Sequence, residues 1–247
     1  MKIIVSPAKT MVENTDNYIS HTVPEFINKS QIILQTIKQK TFEELKEIWK
    51  CSEKIALENF ERFKNMKLQG MTPAIFSYQG IQYQYMAVNV MESHALDHVK
   101  EHLYIISGLY GILRAFDGVS PYRLEMQAKI NIDGHKNLYE FWGDSIYKKL
   151  FERGETVINL ASKEYSKAVE LYLSENNRFI NCIFAEKKAG KILQKATLAK
   201  MARGEMVNFI AENNLNNEMD LQQFARLGFH FDRDASNEKD YIFIRQV

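Results

Sequence analysis

The chain has 247 residues, of which 45% are hydrophobic and 12% aromatic, with 11 glycines and 4 prolines. This composition excludes a disordered or collagen-like chain and allows one large domain or two small ones. The formal net charge of +1 excludes a broadly basic surface but leaves room for a local basic groove.

The pattern of apolar residues predicts that strands and helices alternate along most of the chain. In chain order, we predict a strand at 2–5, helices over 24–65 with a break near 50–52, strands at 73–77 and 83–90, a helix from Ser93 to before Tyr104, an amphipathic helix at 138–152, a strand at 156–160, a hairpin of 179–184 and 190–195 with its turn at 187–190, a helix at 197–213, and strands at 226–231 and 240–245. Alternation followed by hairpins predicts an α/β fold with a mixed sheet and helices on both sides.

Two further features of the sequence concern its location. Cys51 and Cys182 form no CxxC pair, which favours reduced thiols in a cytoplasm. The apolar runs are shorter than a signal sequence or a membrane span requires. We therefore expect a cytoplasmic protein without a membrane partner.

Three apolar runs end in a serine that is followed by charged or turn residues. These serines are Ser6, Ser107 and Ser162. If the strands are parallel neighbours, their carboxyl ends meet at one sheet edge, where ligands of α/β proteins bind. Such a cleft would collect Lys9, Arg114, Arg123, Glu125, Lys163 and Glu164. In the alternative interpretation, each serine is an ordinary N-cap or turn residue.

Arg123 and Glu125 lie two residues apart in a loop that is rich in charged and aromatic residues. In an extended chain, residues two apart point to the same face. The pair is either a buried structural ion pair or a clamp for a carboxylate or phosphate, because arginine binds such groups bidentately. The sequence leaves both interpretations open.

Two segments suggest binding to nucleic acid. Residues 187–203 contain six Lys or Arg and no acid, a local excess of charge that attracts phosphates. Residues 42–63 resemble a degenerate helix-hairpin-helix, with Lys50 and Ser52 where glycines are usual and Lys54 adding charge. The alternatives are a solvated face and an ordinary helical hairpin.

Other motifs do not support a specific chemistry. His94, His98 and His102 are spaced four apart, yet no HExxH is present, and we expect no metal and no cofactor. No P-loop, GxGxxG or GxSxG occurs either. We assign no catalytic residue.

Several short motifs follow one another along nearly the whole chain. They are SPAKT at 6–10, SGLYGILRAFD at 107–117, PYRLEM at 121–126, LYEFWGD at 138–144, INLASKEY at 158–165 and AKMARG at 199–204. Together they resemble the YaaA family of bacterial peroxide-stress proteins. The chain departs from the family pattern at Ala115, Gln127 and Met201, where Pro, Gly and Lys are usual.

The resemblance implies a single α/β domain over 1–247, with a curved mixed sheet around a positively charged cleft. It also implies resistance to hydrogen peroxide, less free intracellular iron, less oxidative DNA damage, and binding of double-stranded DNA through the cleft and the hairpin. The residues carried over by motif are Ser6, Lys9, Thr10, Arg114, Asp117, Tyr122, Arg123, Glu125, Glu164, Tyr165, Lys200 and Arg203 for the cleft, and Lys50, Ser52 and Lys54 for the hairpin. Ser107 and Ser162 join the cleft as strand ends.

Two other hypotheses remain. The cluster of charges is richer than non-specific DNA binding requires, which would suit an enzyme acting on a small phosphate- or carboxylate-bearing molecule such as a nucleotide. Alternatively, the cluster is a buried ion-pair network in a binding scaffold. The sequence indicates neither a reaction nor an oligomeric state.

Overall fold

Parallel strands form the centre of the main sheet in the computed structural model, which describes residues 1–14, 18–188 and 191–246. The strands are β1 (Lys2–Val5), β2 (Thr10–Met11), β3 (Thr72–Pro73), β4 (Tyr78–Gln79), β5 (Leu103–Ser107), β6 (Gly111–Arg114), β7 (Gly118–Val119), β8 (Val157–Leu160), β9 (Phe179–Lys188), β10 (Lys191–Leu193), β11 (His230–Phe231) and β12 (Asp240–Gln246). The order across the sheet is β11-β12-β9-β8-β1-β5-β6, and β10 pairs with β9.

The directions of these strands make the sheet mixed. β12, β9, β8, β1 and β5 run parallel, whereas β6, β10 and β11 are each antiparallel to their neighbour. β2 pairs with β4, and β3 with β7, in two small separate ladders. β1 and β8 are buried at every position, which explains their mainly apolar sequences, with Lys2 and Asn159 as the polar residues.

Helices flank the sheet. They are α1 (Ile27–Lys38), α2 (Phe42–Trp49), α3 (Glu53–Asn65), α4 (Ala74–Ser77), α5 (Ile81–Met86), α6 (Ser93–His102), α7 (Leu138–Trp142), α8 (Ser145–Leu150), α9 (Lys163–Glu170) and α10 (Ala196–Glu212), with 3-10 turns at Val88–Val90 and Glu218–Gln223. The expected α/β domain with a mixed sheet between helices is confirmed. In the described residues, no helix combines the length and the apolarity needed to cross a bilayer.

The predicted break near 50–52 is confirmed between α2 and α3. Thr41 caps α2 through a capping box, in which its hydroxyl accepts from the Glu44 N–H and the Glu44 carboxylate accepts from the Thr41 N–H. The helix then ends at Lys50, whose left-handed backbone (φ 46°, ψ 52°) reverses the chain.

Three predicted elements were wrong. Residues 73–77 and 83–90 are mainly helical, since they contain α4, α5 and a 3-10 turn. These helices are too short to show a 3.6-residue period, so their apolar runs resemble strands. The single helix predicted at 138–152 is divided into α7 and α8 at Gly143, whose φ of 52° interrupts the helix.

The predicted hairpin and the long basic helix are present with shifted bounds. β9 and β10 form the hairpin, although residues 189–190 of its predicted turn lie outside the described residues. α10 packs against α5 at Gly204, where an added Cβ would overlap the carbonyl oxygen of Gln82. This close approach brings the α10 side chains beside the start of α5.

Candidate functional site

The serines at the ends of β1, β5 and β8 lie at one edge of the sheet. β1 pairs in parallel with both β5 and β8, so their carboxyl ends point the same way. The Ser162 N–H donates to the Ser6 hydroxyl oxygen at 2.8 Å, and the Ser6 hydroxyl donates to the Ser162 hydroxyl at 3.2 Å. The predicted convergence of these two strand ends is therefore confirmed.

A cavity of about 380 Å³ opens at this edge, and we call it the cleft. Eight side chains predicted for a binding site line it. They are Ser6, Lys9, Thr10, Ser162, Glu164, Tyr165, Lys200 and Arg203. The β1–β2 loop, the first turn of α9 and the first half of α10 supply them.

Arg203 is the cationic side chain set deepest in the cleft wall. Its Nε atom is buried and has no hydrogen-bond partner within the described residues. Burial lowers the pKa of the guanidinium from its usual value. An unpartnered buried N–H donor is costly, so an acceptor supplied by a ligand would relieve it.

Glu164 is the acidic side chain of the cleft. Burial raises the pKa of its carboxyl, and the charge of Glu125 raises it further, while the Gln127 N–H, which donates to it at 3.4 Å, opposes the shift. A carboxyl group with a raised pKa keeps its proton to higher pH, which suits a general acid or a hydrogen-bond donor. Tyr165 beside it is buried, which raises the pKa of its hydroxyl.

Arg123 and Glu125 are placed next to the cleft and hold each other. Arg123 Nη2 lies 3.2 Å from Glu125 Oε1, and Lys9 Nζ lies 3.1 Å from the same oxygen. Glu125 thus connects the cleft residue Lys9 to a largely buried arginine. The structural ion pair is present, while the Nε atom of Arg123 is buried without a partner in the described chain.

Ser107 and Tyr122 are buried and do not line the cleft. The Ser107 side chain is fully buried, its hydroxyl lies 2.6 Å from the Tyr122 hydroxyl, and it accepts from the Tyr110 N–H at 2.8 Å. The Tyr122 hydroxyl also lies 2.8 Å from that of Tyr78. These contacts place both residues in a buried hydroxyl network.

Arg114 and Asp117 lie away from the cleft, contrary to the expectation for this loop. β6 runs back along β5, so Arg114 lies opposite Tyr104, about 10 Å from the Ser107 end of that strand. The buried Asp117 carboxylate accepts from the Arg114 N–H at 2.8 Å and from the Thr22 hydroxyl at 2.9 Å. Burial raises the pKa of Asp117. The antiparallel turn after Ser107 is the physical reason for their position.

Lys50, Ser52 and Lys54 are exposed in the turn between α2 and α3 and do not line the cleft. The opposite end of α3, at Asn65, borders a groove together with Met11, which follows Thr10 in β2. Because α3 has 13 residues, the turn lies about 20 Å from that end. The turn exposes Lys50 and Lys54 beside Glu53 and is separate from the cleft.

One wall of the cleft was not predicted from the sequence. Gln79, Gly80, Gln82 and Tyr83 line it at the junction of β4 and α5. The Tyr83 hydroxyl donates to the Ser6 carbonyl at 2.9 Å and the Gln82 amide donates to the Leu160 carbonyl at 3.3 Å. The sequence feature that could have indicated this wall is Gly80 between Gln79 and Gln82, followed by Tyr83 and Tyr85.

The row of histidines forms packing contacts. The Nδ1 atom of His98 lies 2.9 Å from the Asn214 side-chain oxygen, that of His102 lies 2.9 Å from the Met1 carbonyl, and His94 contacts the Glu212 carbonyl. Across the described residues, no group of three or more His, Cys, Asp or Glu side chains is arranged to hold a metal ion.

The chemistry of the cleft favours an anionic ligand. Its lining contains Lys9, Lys200 and Arg203 as cations and Glu164 as an acid. Cationic side chains with a free guanidinium N–H bind phosphate or carboxylate oxygens.

Known proteins resemble this chain over nearly its whole length. A family model described as peroxide stress protein YaaA matches residues 1–235. A UPF0246 protein of Lachnoclostridium phytofermentans is 50% identical over 246 residues, covering 99% of this chain and 96% of that protein. A UPF0246 protein of Agathobacter rectalis is 49% identical over 248 residues, covering 100% of both.

Proposed function

Because the chain belongs to the peroxide stress protein YaaA family, we propose that it binds double-stranded DNA through the cleft and protects that DNA from oxidative damage. Binding to DNA would place the protein in the bacterial cytoplasm. We extend the proposal to the lowering of free intracellular iron, which the sequence resemblance implies, without assigning a residue to iron.

The observation that carries the proposal is the set of cations around the cleft. Lys9 and Lys200 are exposed at its mouth, while the buried Nε atom of Arg203 lacks an acceptor among the described residues. Exposed lysines neutralise phosphates and release counterions, and such contacts supply affinity without reading sequence.

The turn between α2 and α3 supplies the second contact region in this proposal. Lys50 and Lys54 are exposed there. A duplex carries one charge per about 1.7 Å of its axis, so one bound segment offers phosphates to several separate contact regions. The helix-hairpin-helix interpretation of this turn belongs to the same proposal.

Salt dependence of duplex binding tests the two regions. We expect log Kd of a 25-base-pair duplex to change with log salt concentration, and each lost phosphate contact to reduce the slope by about 0.9. Lys200→Ala tests the cleft and Lys50→Ala tests the turn. Lys100→Ala is the matched control, because this exposed lysine is on α6, which leads into the amino end of β5, opposite the cleft.

The slopes decide between these regions. A smaller slope for Lys200→Ala and for Lys50→Ala, with the Lys100→Ala slope unchanged, would support both contacts. Equal slopes for Lys200→Ala and the unmodified protein would remove the cleft from the proposal, and the same result for Lys50→Ala would remove the turn.

A second candidate function is an enzyme that acts on a small phosphate- or carboxylate-bearing molecule. The observation that favours it is the placement of Glu164, a carboxyl group with a raised pKa, in a concave cavity of about 380 Å³. Pockets for small ligands have volumes of about 300–1,000 Å³. Mass spectrometry of molecules released on denaturing the purified protein would detect such a ligand. If Glu164→Gln retained full peroxide protection in cells, the enzymatic role of Glu164 would be excluded.

A further inference from the structure

A second cavity adjoins the cleft across the junction of β4 and α5. Its volume is about 300 Å³, and Gln79, Gly80 and Tyr83 line both cavities. Gly80 forms the boundary, since a Cβ atom added there would lie 3.3 Å from the Ala8 Cβ on the cleft side. The two cavities are therefore neighbours that share this part of their lining.

The chemistry of the second cavity differs from that of the cleft. Among the described residues that line it, none is Lys, Arg, Asp or Glu. The side-chain amides of Gln79, Gln84 and Asn89 are exposed at its surface, and none of the three hydrogen-bonds to another described residue. A primary amide offers donors and an acceptor side by side, which is the pattern that matches the edge of a nucleobase.

Aromatic and aliphatic side chains form much of the remaining lining, and among them the ring of Phe76 is half-buried. Tyr78 and Tyr83 are buried, and their hydroxyls are bonded to the Tyr122 hydroxyl and the Ser6 carbonyl, so neither hydroxyl is free for a ligand. The ring centroids of Tyr78 and Tyr83 lie 5.5 Å apart. Aromatic rings beside amides are the usual surroundings of an unstacked base.

We infer that the two cavities form one site for a nucleotide whose base is unpaired, with the phosphate in the cleft beside Lys200 and Arg203 and the base in the second cavity beside Gln84 and Asn89. A base that enters a cavity has left its partner and its stacked neighbours, so the ligand is a free nucleotide or a nucleotide in a single strand. This inference rests on the proposed function in one respect, namely that the cleft binds phosphate.

Calorimetric titration of the full chain with deoxyadenosine monophosphate tests the site. We expect deoxyadenosine monophosphate to bind more tightly than 2-deoxyribose 5-phosphate, which lacks the base. Gln84→Ala and Asn89→Ala should each weaken the nucleotide about 5–10-fold, the effect of losing about one hydrogen bond, and leave 2-deoxyribose 5-phosphate and duplex DNA unchanged. Lys200→Ala should weaken all three ligands.

A single-stranded oligonucleotide of ten residues distinguishes the two sources of the ligand. Tight binding of the mononucleotide identifies a free nucleotide, and binding of the oligonucleotide alone identifies a nucleotide within a strand. In either case the sensitivity to Gln84→Ala supports the site. Gly80→Ala, which adds a methyl group where the two cavities meet, should weaken the nucleotide but not 2-deoxyribose 5-phosphate.

The failures of the two proposals can be told apart. Equal affinity for the nucleotide and for 2-deoxyribose 5-phosphate, or nucleotide binding that neither Gln84→Ala nor Asn89→Ala alters, would overturn the nucleotide site while leaving duplex binding intact. Loss of the Lys200→Ala effect on the duplex would instead contradict the proposed function.

Discussion

Glu125 Oε1 lies 3.2 Å from Arg123 Nη2 and also accepts the Lys9 ammonium group at 3.1 Å. The side chains of Arg123 and Glu125 are each 12% exposed, whereas that of Lys9 is 66% exposed. One carboxylate therefore joins a buried cation to a cation at the mouth of the cleft. Through Glu125, the exposed Lys9 side chain is therefore held next to the buried Arg123–Glu125 pair.

Removing the buried cation should destabilise the protein more than removing the exposed one. Arg123→Ala leaves Glu125 largely buried with Lys9 alone, and we expect the free energy of unfolding to fall by about 1–3 kcal/mol. Lys9→Ala should lower the free energy of unfolding by at most about 1 kcal/mol, because Glu125 keeps its contact with Arg123 and the Lys9 side chain is mostly exposed to solvent. Urea denaturation of both variants measures the difference.

The same two variants separate structure from recognition. If Arg123→Ala unfolds at the same urea concentration as the unmodified protein yet binds duplex DNA more weakly, the buried pair is a ligand clamp. The Lys9→Ala variant provides the comparison, since we expect it to weaken duplex binding without a large change in stability.

Glu164 should make stability depend on pH. Its pKa is raised in the folded protein, mainly by burial, above the value of 4.5 for a free carboxyl group. Between pH 4.5 and the raised pKa of the folded state, the folded state holds more protons than the unfolded state, so the free energy of unfolding falls as pH rises. Glu164→Gln stays uncharged and should therefore gain stability relative to the unmodified protein as pH rises through this window, with no relative gain below pH 4.5.

Glu44 provides a control of the opposite sign. Its pKa is lowered below 4.5, first because its carboxylate accepts the Thr41 N–H, so the folded state holds fewer protons than the unfolded state in the window just below pH 4.5. The stability that this carboxylate contributes is complete above pH 4.5 and is lost as pH falls, so Glu44→Gln should lose relative stability as pH rises toward 4.5, in contrast to Glu164→Gln. Denaturation curves at pH 3, 4, 6 and 8 compare the two variants, and a relative change of the same sign in both would contradict the assignment for Glu164.

The hydroxyl of Tyr122 should contribute to stability and not to binding. Tyr122→Phe removes the partner of both the Tyr78 and Ser107 hydroxyls, which are buried, and we expect a loss of about 1–2 kcal/mol in the free energy of unfolding. Tyr172→Phe is the matched control, since this half-buried hydroxyl makes no hydrogen bond to a described residue. Weaker duplex binding by a stable Tyr122→Phe variant would contradict this prediction and indicate that Tyr122 takes part in binding.

The strand ends illustrate what the sequence could predict. Mainly apolar runs at 2–5 and 156–160 indicated buried strands, and the parallel pairing of these strands brings Ser6 and Ser162 together. The lining residues Lys200 and Arg203 came from motif resemblance, because nothing in their spacing indicates which strand end α10 approaches. Gly204 settles that position by its close contact with α5.

The misplaced residues show what the sequence could not predict. Arg114 and Asp117 lie close to Ser107 along the chain, but the turn at Gly111, with φ of 71°, returns β6 along β5 and carries them to the other end. The wall formed by Gln79 and Tyr83 was missed for a different reason. α5 has six residues, fewer than two helical turns, so its sequence carries no usable period.

Lys50 should affect stability and DNA binding in opposite directions. Its backbone is left-handed, with φ of 46°, and glycine adopts that conformation at lower cost than lysine. We expect Lys50→Gly to raise the free energy of unfolding by about 0.5–1 kcal/mol and, because a charge is lost, to reduce the salt slope of duplex binding. Lys54→Gly is the control, since the same change within α3 should lower stability by about 1 kcal/mol while removing a similar charge. Thermal unfolding and salt titration of both variants measure the two effects, and a Lys50→Gly variant that is less stable than the unmodified protein would contradict the argument from backbone conformation.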